Sequence, residues 1–222
     1  FIELFFRIKV ESKSPVDIYL DNLSNDCYKF FEEDMKKSSI FIKGDDLRKF
    51  CISKALQNDK NNLFLEFGVY TGNSINLFAE ILLSHQLKIY GFDSFEGLEE
   101  DWVTQEYNPA GTFNLNKKIP KVKNNVNIIK GKVQNTLKTF LEDHSNQKII
   151  FTHMDMDTYG ATRYTLDLIK PYFKKGTIIL FDNFYGFPNW QQHEYKAFSE
   201  VLKKNEFKFI AFCESQAAIE IL

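Results

Sequence analysis

The chain has 222 residues and is 44% hydrophobic, enough apolar material for one sizeable core. Its 28 basic and 30 acidic residues nearly cancel, to −2, so no basic field is present to hold a nucleic-acid backbone. The three cysteines, Cys27, Cys51 and Cys213, are far apart and in no CxxC pair, which argues against a disulfide framework or a zinc knuckle and fits a reducing cytoplasm.

The opening FIELFFRIKV is apolar but carries Glu3, Arg7 and Lys9. It is too short and too charged to span a bilayer, and it lacks the order of regions in a signal peptide. It could instead pack on a partner subunit, which leaves room for a homo-oligomer. A start at Phe1 rather than methionine is expected of an excerpt from a longer protein. Ser14 and Pro15 form a cap and first-turn pair, and apolar residues from Ile18 to Phe31 recur at helical spacing. A second helix is expected over DDLRKFCISKALQ. Residues 1–57 thus read as a helical segment or lid packed on a core domain of residues 58–222.

From residue 63 short apolar runs alternate with amphipathic helices: LFLEFG, SINLFAEILLSH, LKIYGFD, then NVNIIKG, VQNTLKTFLEDH, KIIFTHMD, ATRYTLDLIKPYF and GTIILFDN. The end reads helix, strand, strand. This alternation predicts an α/β, Rossmann-like, mostly parallel sheet with helices on both faces and an antiparallel strand at the end. The irregular stretch 94–124 is longer than ordinary loops, which points to a functional role.

Ligands of such sheets sit beyond the carboxyl ends of the strands. The first strand ends in LEFGVYTGNS, so Glu66, Gly68, Gly72 and Ser74 line up as ExGxxxGxS, with Tyr70 where a dinucleotide loop has its middle glycine. That disfavours a pyrophosphate. Glu66 suits an ammonium group. The second strand ends in YGFDSFEGL, where Asp93, beside Ser94, lies 21 residues after Gly72, near the usual separation for a carboxylate on ribose hydroxyls. A ribose without a phosphate, beside a cationic tail, indicates S-adenosyl-L-methionine. Lys132, Val133 and Gln134 follow the third strand and could border an adenine.

The fourth strand ends in HMDMDTYG and the fifth in LFDNFYGF, so Asp155, Asp182 and Asn183 meet at neighbouring strand ends. Three hard oxygen ligands suit Mg2+, Mn2+ or Ca2+ rather than zinc. Alternatively Asp155 grips the cofactor's amino group and Asp182 caps a helix. Asp157 is the first candidate for proton acceptor or extra ligand. His153 and His193 are further candidates, against ordinary structural roles for both. Trp102 and Trp190 could wall an acceptor pocket or simply anchor loops.

LEFGVYTGNS, GFDSFEGL…DW, HMDMDTYGAT and GTIILFDNFYGFPNW…HEYKAF resemble the class I S-adenosylmethionine-dependent methyltransferases, and within them the macrocin O-methyltransferase-like group, which acts on sugar and antibiotic hydroxyls. The resemblance covers roughly residues 60–222. It implies a seven-stranded sheet and metal-assisted O-methylation of a small-molecule acceptor. The group commonly has a second acidic residue where this chain has Asn183. The Asp155 and Asp182-Asn183 set, 27 residues apart, also resembles the magnesium site of catechol O-methyltransferase. Competing readings are a nicotinamide-dependent oxidoreductase on a similar sheet and a non-catalytic binding module. A nucleic-acid methyltransferase is disfavoured by the neutral charge and by the lack of an NPPY-like strand end.

Overall fold

The computed structural model of the chain describes residues 13–58 and 62–222; the apolar opening, residues 1–10, lies outside the described residues. The Ser14 cap forms as the sequence predicts. Its hydroxyl accepts from Asp17 N–H (3.2 Å) while the Asp17 carboxylate accepts from Ser14 N–H (2.9 Å), closing a capping box at the start of α1 (Pro15–Met35). A two-residue strand, β1 (Ser39–Ile40), and α2 (Gly44–Ala55) follow.

The alternating part then runs β2 (Leu63–Phe67), α3 (Asn73–Leu83), β3 (Ile89–Asp93), the small hairpin β4 (Trp102–Val103) and β5 (Tyr107–Asn108), and β6 (Val126–Lys130). It continues with α4 (Val133–Asp143), β7 (Ile149–Met154), α5 (Tyr159–Ile169), β8 (Phe173–Phe181), α6 (Glu194–Val201), β9 (Phe207–Cys213) and β10 (Gln216–Ile221). The sheet order is β1-β9-β10-β8-β7-β2-β3-β6. Every pairing is parallel except those of β10, which runs antiparallel to both β8 and β9.

The sheet has eight strands among the described residues, where the resemblance implies seven. The extra one is β1, with Ser39 opposite Ala211 of β9. Two residues are too few to show a period, so nothing in the sequence marks them. The irregular stretch is likewise less formless than expected. Leu98 and Thr112 close its middle backbone to backbone (2.9 Å), and Asn76 of α3 ties down its end through Lys121 and Lys123.

All positions of β2 and β7 are buried, as in parallel strands covered on both faces. Helices α2 and α3 cover one face, packing Leu47, Ile52 and Phe78 on Phe64, Phe151 and Ile178. Helices α1, α4, α5 and α6 cover the other, with Phe31, Leu137, Leu166 and Phe198 around Leu65, Phe67 and Phe181. Within the sheet β3 lies on one side of β2 and β7 on the other. The order therefore reverses between β2 and β7, and the crevice beyond their carboxyl ends is where such sheets bind ligands. Among the described residues no helix is long and apolar enough to cross a membrane.

Candidate active site

The glycine loop after β2 is held from two sides. Gly68 N–H donates to Phe92 O of β3 (2.9 Å), and Asp155 N–H donates to Phe67 O (2.8 Å), so the ends of β2, β3 and β7 are drawn together. Gly68 sits at φ +88°, and a Cβ there would lie 1.7 Å from the Asp155 carbonyl oxygen, so only glycine fits. Asp93 closes the other side. Its Oδ2 accepts from Val69 and Tyr70 N–H (both 2.8 Å) and its Oδ1 from Phe95 N–H (2.6 Å). Three of its roughly four acceptor positions thus shape the loop, and one is left for a ligand hydroxyl.

These residues wall a cavity of about 290 Å³, with Phe92, Trp102, Phe113 and Val133 as its apolar surfaces. A few placed polar groups against apolar walls suit a nucleoside-bearing cofactor. Gly68, Tyr70, Asp93, Ser94, Val133, Asp155, Asp157, Asp182 and Asn183 all border it.

The acidic side is built at the ends of β7 and β8. Asp182 N–H donates to Met154 O (3.0 Å), which sets Asp155 and Asp182 side by side just past the strands. Thr158 N–H donates to Met156 O (2.5 Å), closing a three-residue γ-turn around Asp157, whose φ is +61°. The chain therefore turns between the two aspartates of HMDMD. Asn183 Nδ2 donates to Asp157 Oδ1 (2.7 Å). Arg48 of α2 reaches Asp182 Oδ1 (2.7 Å), and the Gln216 amide donates to the same oxygen. His153 Nε2 lies 3.5 Å from Asp182 Oδ1, and its Nδ1 lies 3.8 Å from Glu66 Oε2. The register places His153 directly beside Glu66 on the adjoining strand.

Burial lowers the pKa of His153, but the nearby carboxylates of Asp182 and Glu66 outweigh it and carry it up to about 10. Asp182 shows the complement. Burial pushes it up, yet His153 and Arg48 hold it down, at about 2. Burial and the charge of Asp182 push Asp157 up to about 7, against the Asn183 bond. Burial and Asp182 drive Asp155 well above the carboxylate range, and burial and Asp157 do the same to Glu194. Five carboxyl groups, Glu66, Asp155, Asp157, Asp182 and Glu194, face two cationic side chains. The imbalance is met by protons or by an added cation.

The donor set fits a hard divalent cation. Ligand atoms of His153, Asp155 and Asp182 lie within 4.8 Å of one another. Both ring nitrogens of His153 face carboxylates, Nδ1 that of Glu66 and Nε2 that of Asp182. Asn183 commits its nitrogen to Asp157, which leaves its amide oxygen as the group it could offer a cation.

Most other candidates lie off the cavity. Glu66, fully buried, accepts from Ser74 Oγ (2.7 Å) and with His153 forms a layer beneath the floor. Gly72 starts α3 at φ +85°. His193 packs on Phe187, half-buried, with its pKa lowered by burial. Lys132 borders the cavity, whereas the Gln134 amide is turned to Glu99. Trp102 is in the cavity wall, but Trp190 is buried against Phe30, Phe31 and Tyr195 beneath α1. Sequence reasoning missed Arg48, Gln216 and Glu194. Arg48 lies 134 residues from Asp182, and no local pattern announces such a pairing.

A family model for the methyltransferase domain matches residues 65–184. No curated protein matches the chain at a significant level. Among solved structures, the calicheamicin methyltransferase CalS11 is similar with a TM-score of 0.65 and 19% identity, over 94% of each chain. Its apo form, described as a TDP-rhamnose 3'-O-methyltransferase, gives 0.61 and 18% over 94% of this chain and 96% of the other. The O-methyltransferase NovP gives 0.58 and 17%, over 92% and 98%. These likenesses carry the fold. The family match spans more than half of the chain and takes in the glycine loop, Asp93 and the acidic strand ends, so the protein belongs to the methyltransferase-domain family and is, as the resemblance implied, an S-adenosylmethionine-dependent methyltransferase.

Proposed function

We propose that the protein methylates a hydroxyl oxygen of a small metabolite of the sugar or phenol type, with Asp157 as the base and a divalent cation such as Mg2+ held by Asp155, Asp182 and Asn183. The observation that carries this reading is the cluster of three aspartates on the wall of the cofactor cavity, one of them poised near pH 7. That CalS11 and NovP are described as O-methyltransferases supports oxygen as the acceptor atom.

When bound, S-adenosylmethionine supplies an electrophilic methyl group and the cation supplies positive charge that favours an ionised acceptor oxygen. The chain does the rest. Asp93 and the loop it shapes fix the nucleoside end. Asp157, aimed by its 2.7 Å bond from Asn183, takes the hydroxyl proton as that oxygen gains the methyl group. The positive charge lost at sulfur is thereby balanced by neutralisation of the carboxylate. Phe92, Trp102 and Phe113 exclude water. Alignment of this kind can supply roughly 7–11 kcal/mol.

Calorimetry with S-adenosylmethionine, with and without EDTA, and turnover on hydroxylated acceptors test this. Turnover should fall with EDTA and return with Mg2+. Unchanged turnover would remove the cation. Methyl transfer to an amine in place of a hydroxyl would remove the oxygen chemistry.

A further inference from the structure

Just past the sheet, β7 and β8 each leave an N–H group beyond the ladder. Asp155 N–H is taken by Phe67 O and Asp182 N–H by Met154 O, so the next ones along belong to Met156 and Asn183. Both end on one side chain. Glu194, the first residue of α6, accepts from Met156 N–H through Oε1 (3.3 Å) and from Asn183 N–H through Oε2 (3.2 Å). The Asn183–Asp157 bond closes these contacts into a ring. Glu194 holds Met156, Met156 leads into Asp157, Asp157 accepts from Asn183, and Asn183 returns to Glu194.

This side chain is neither a helix cap nor core filler. The helix dipole favours a glutamate in the first turn, yet the bonds of Glu194 run to residues 38 and 11 positions away in the chain. It is fully buried and, among the described residues, forms no ion pair. A carboxyl group so placed is costly, and packing alone would be served by an apolar residue. Glutamine would not replace it. Its single oxygen serves one N–H group, and its NH2 would then meet the other, donor against donor. A carboxylate has an acceptor on each arm.

We infer that Glu194 is a positioning residue: its carboxyl group couples the Met156–Asp157 turn to the Asn183 backbone and so fixes the Asn183 amide against the Asp157 carboxylate. The use made of the ring rests on the reading of Asp157 as base and Asn183 as cation ligand; the ring itself does not.

Nitrogen-15 NMR of the full chain, with S-adenosylhomocysteine bound, tests this. In the unaltered protein the Met156 and Asn183 amide protons should exchange with deuterium at least about tenfold more slowly than in an unstructured peptide, a measurement that needs no variant. Glu194→Gln keeps the side chain's size and removes one acceptor. It should shift the Asn183 side-chain amide resonance, which is identified by its loss in Asn183→Asp. By calorimetry it should weaken Mn2+ binding about tenfold while S-adenosylhomocysteine affinity stays within about twofold. Val201→Ala, a cavity in the same helix, controls for lost stability. It should lower the melting temperature and leave both the resonance and the Mn2+ affinity in place. Unprotected Met156 and Asn183 amides, an Asn183 resonance unmoved in folded Glu194→Gln, a Mn2+ affinity equal to that of the unaltered protein, or the same shifts in Val201→Ala each overturn the inference. If the unaltered protein binds no Mn2+, the cation of the proposed reaction falls, and the Asn183 resonance still decides the role of Glu194.

Discussion

The two sides of the cofactor cavity are held by different forces. On the side of β2 and β3 the backbone does the holding: Gly68 fits where no side chain can, and Asp93 serves mainly to gather loop N–H groups. On the side of β7 and β8, charge does it. Asp182 is pinned by Arg48, Gln216 and His153, and its neighbours pay for that proximity with displaced pKa values. The first side should tolerate changes of charge and not of shape. The second should show the reverse, because buried like charges are costly unless partnered.

Four variants can break or sharpen that contrast. Gly68→Ala should do most damage: a Cβ 1.7 Å from a backbone oxygen, at positive φ, keeps the loop from closing. Cofactor binding should vanish by calorimetry and stability fall by about 4 kcal/mol; retained binding would show the loop to be plastic. Asp157→Asn nearly conserves shape, so turnover should drop by roughly 10²–10⁴-fold at unchanged S-adenosylmethionine affinity. A drop in affinity alone would move Asp157 from proton transfer to binding. Arg48→Met leaves Asp182 largely buried with a weaker set of partners, which should cost about 3 kcal/mol in urea denaturation. A loss below about 0.5 kcal/mol, the level of an ordinary surface change, would mean that the pinning is decorative.

The smallest effect belongs to His193, which lies on neither wall. Burial lowers its pKa below 6.5, so the unfolded chain takes up a proton before the folded one does. Stability should therefore decline as pH falls through 6.5, and His193→Gln should flatten that slope while turnover stays within a few-fold. A large loss of turnover would bring His193 back into the chemistry.

The side held by backbone was the more legible in the sequence. Glycine spacing and the interval to Asp93 are local, and they placed Gly68, Tyr70, Asp93 and Ser94 on the cavity wall. The alternation of elements likewise gave the sheet and its antiparallel end. The strand β1 escaped because two residues carry no period. The charged side was legible only in part. Asp155, Asp157, Asp182 and Asn183 could be collected, but a strand rule alone puts Asp155 and Asp157 on one face. The γ-turn that separates them centres on Asp157 itself, at a positive φ that aspartate tolerates without announcing it in the sequence. Glu66 reads as a ligand group from its place before the glycine loop. Its partner His153 comes from a different strand, and that pairing draws it under the floor.

Arg48 and Gln216 also bear on transplantation. Both lie outside residues 65–184, the part that matches the family, yet both end on Asp182 within it. A chimaera that borrowed only that central stretch would inherit the cradle and every acidic residue at the strand ends. It would leave behind the guanidinium and the amide that make one of those acids tolerable. For this protein the transferable unit is wider than the recognisable one, and its borders are set by where the counter-charges originate.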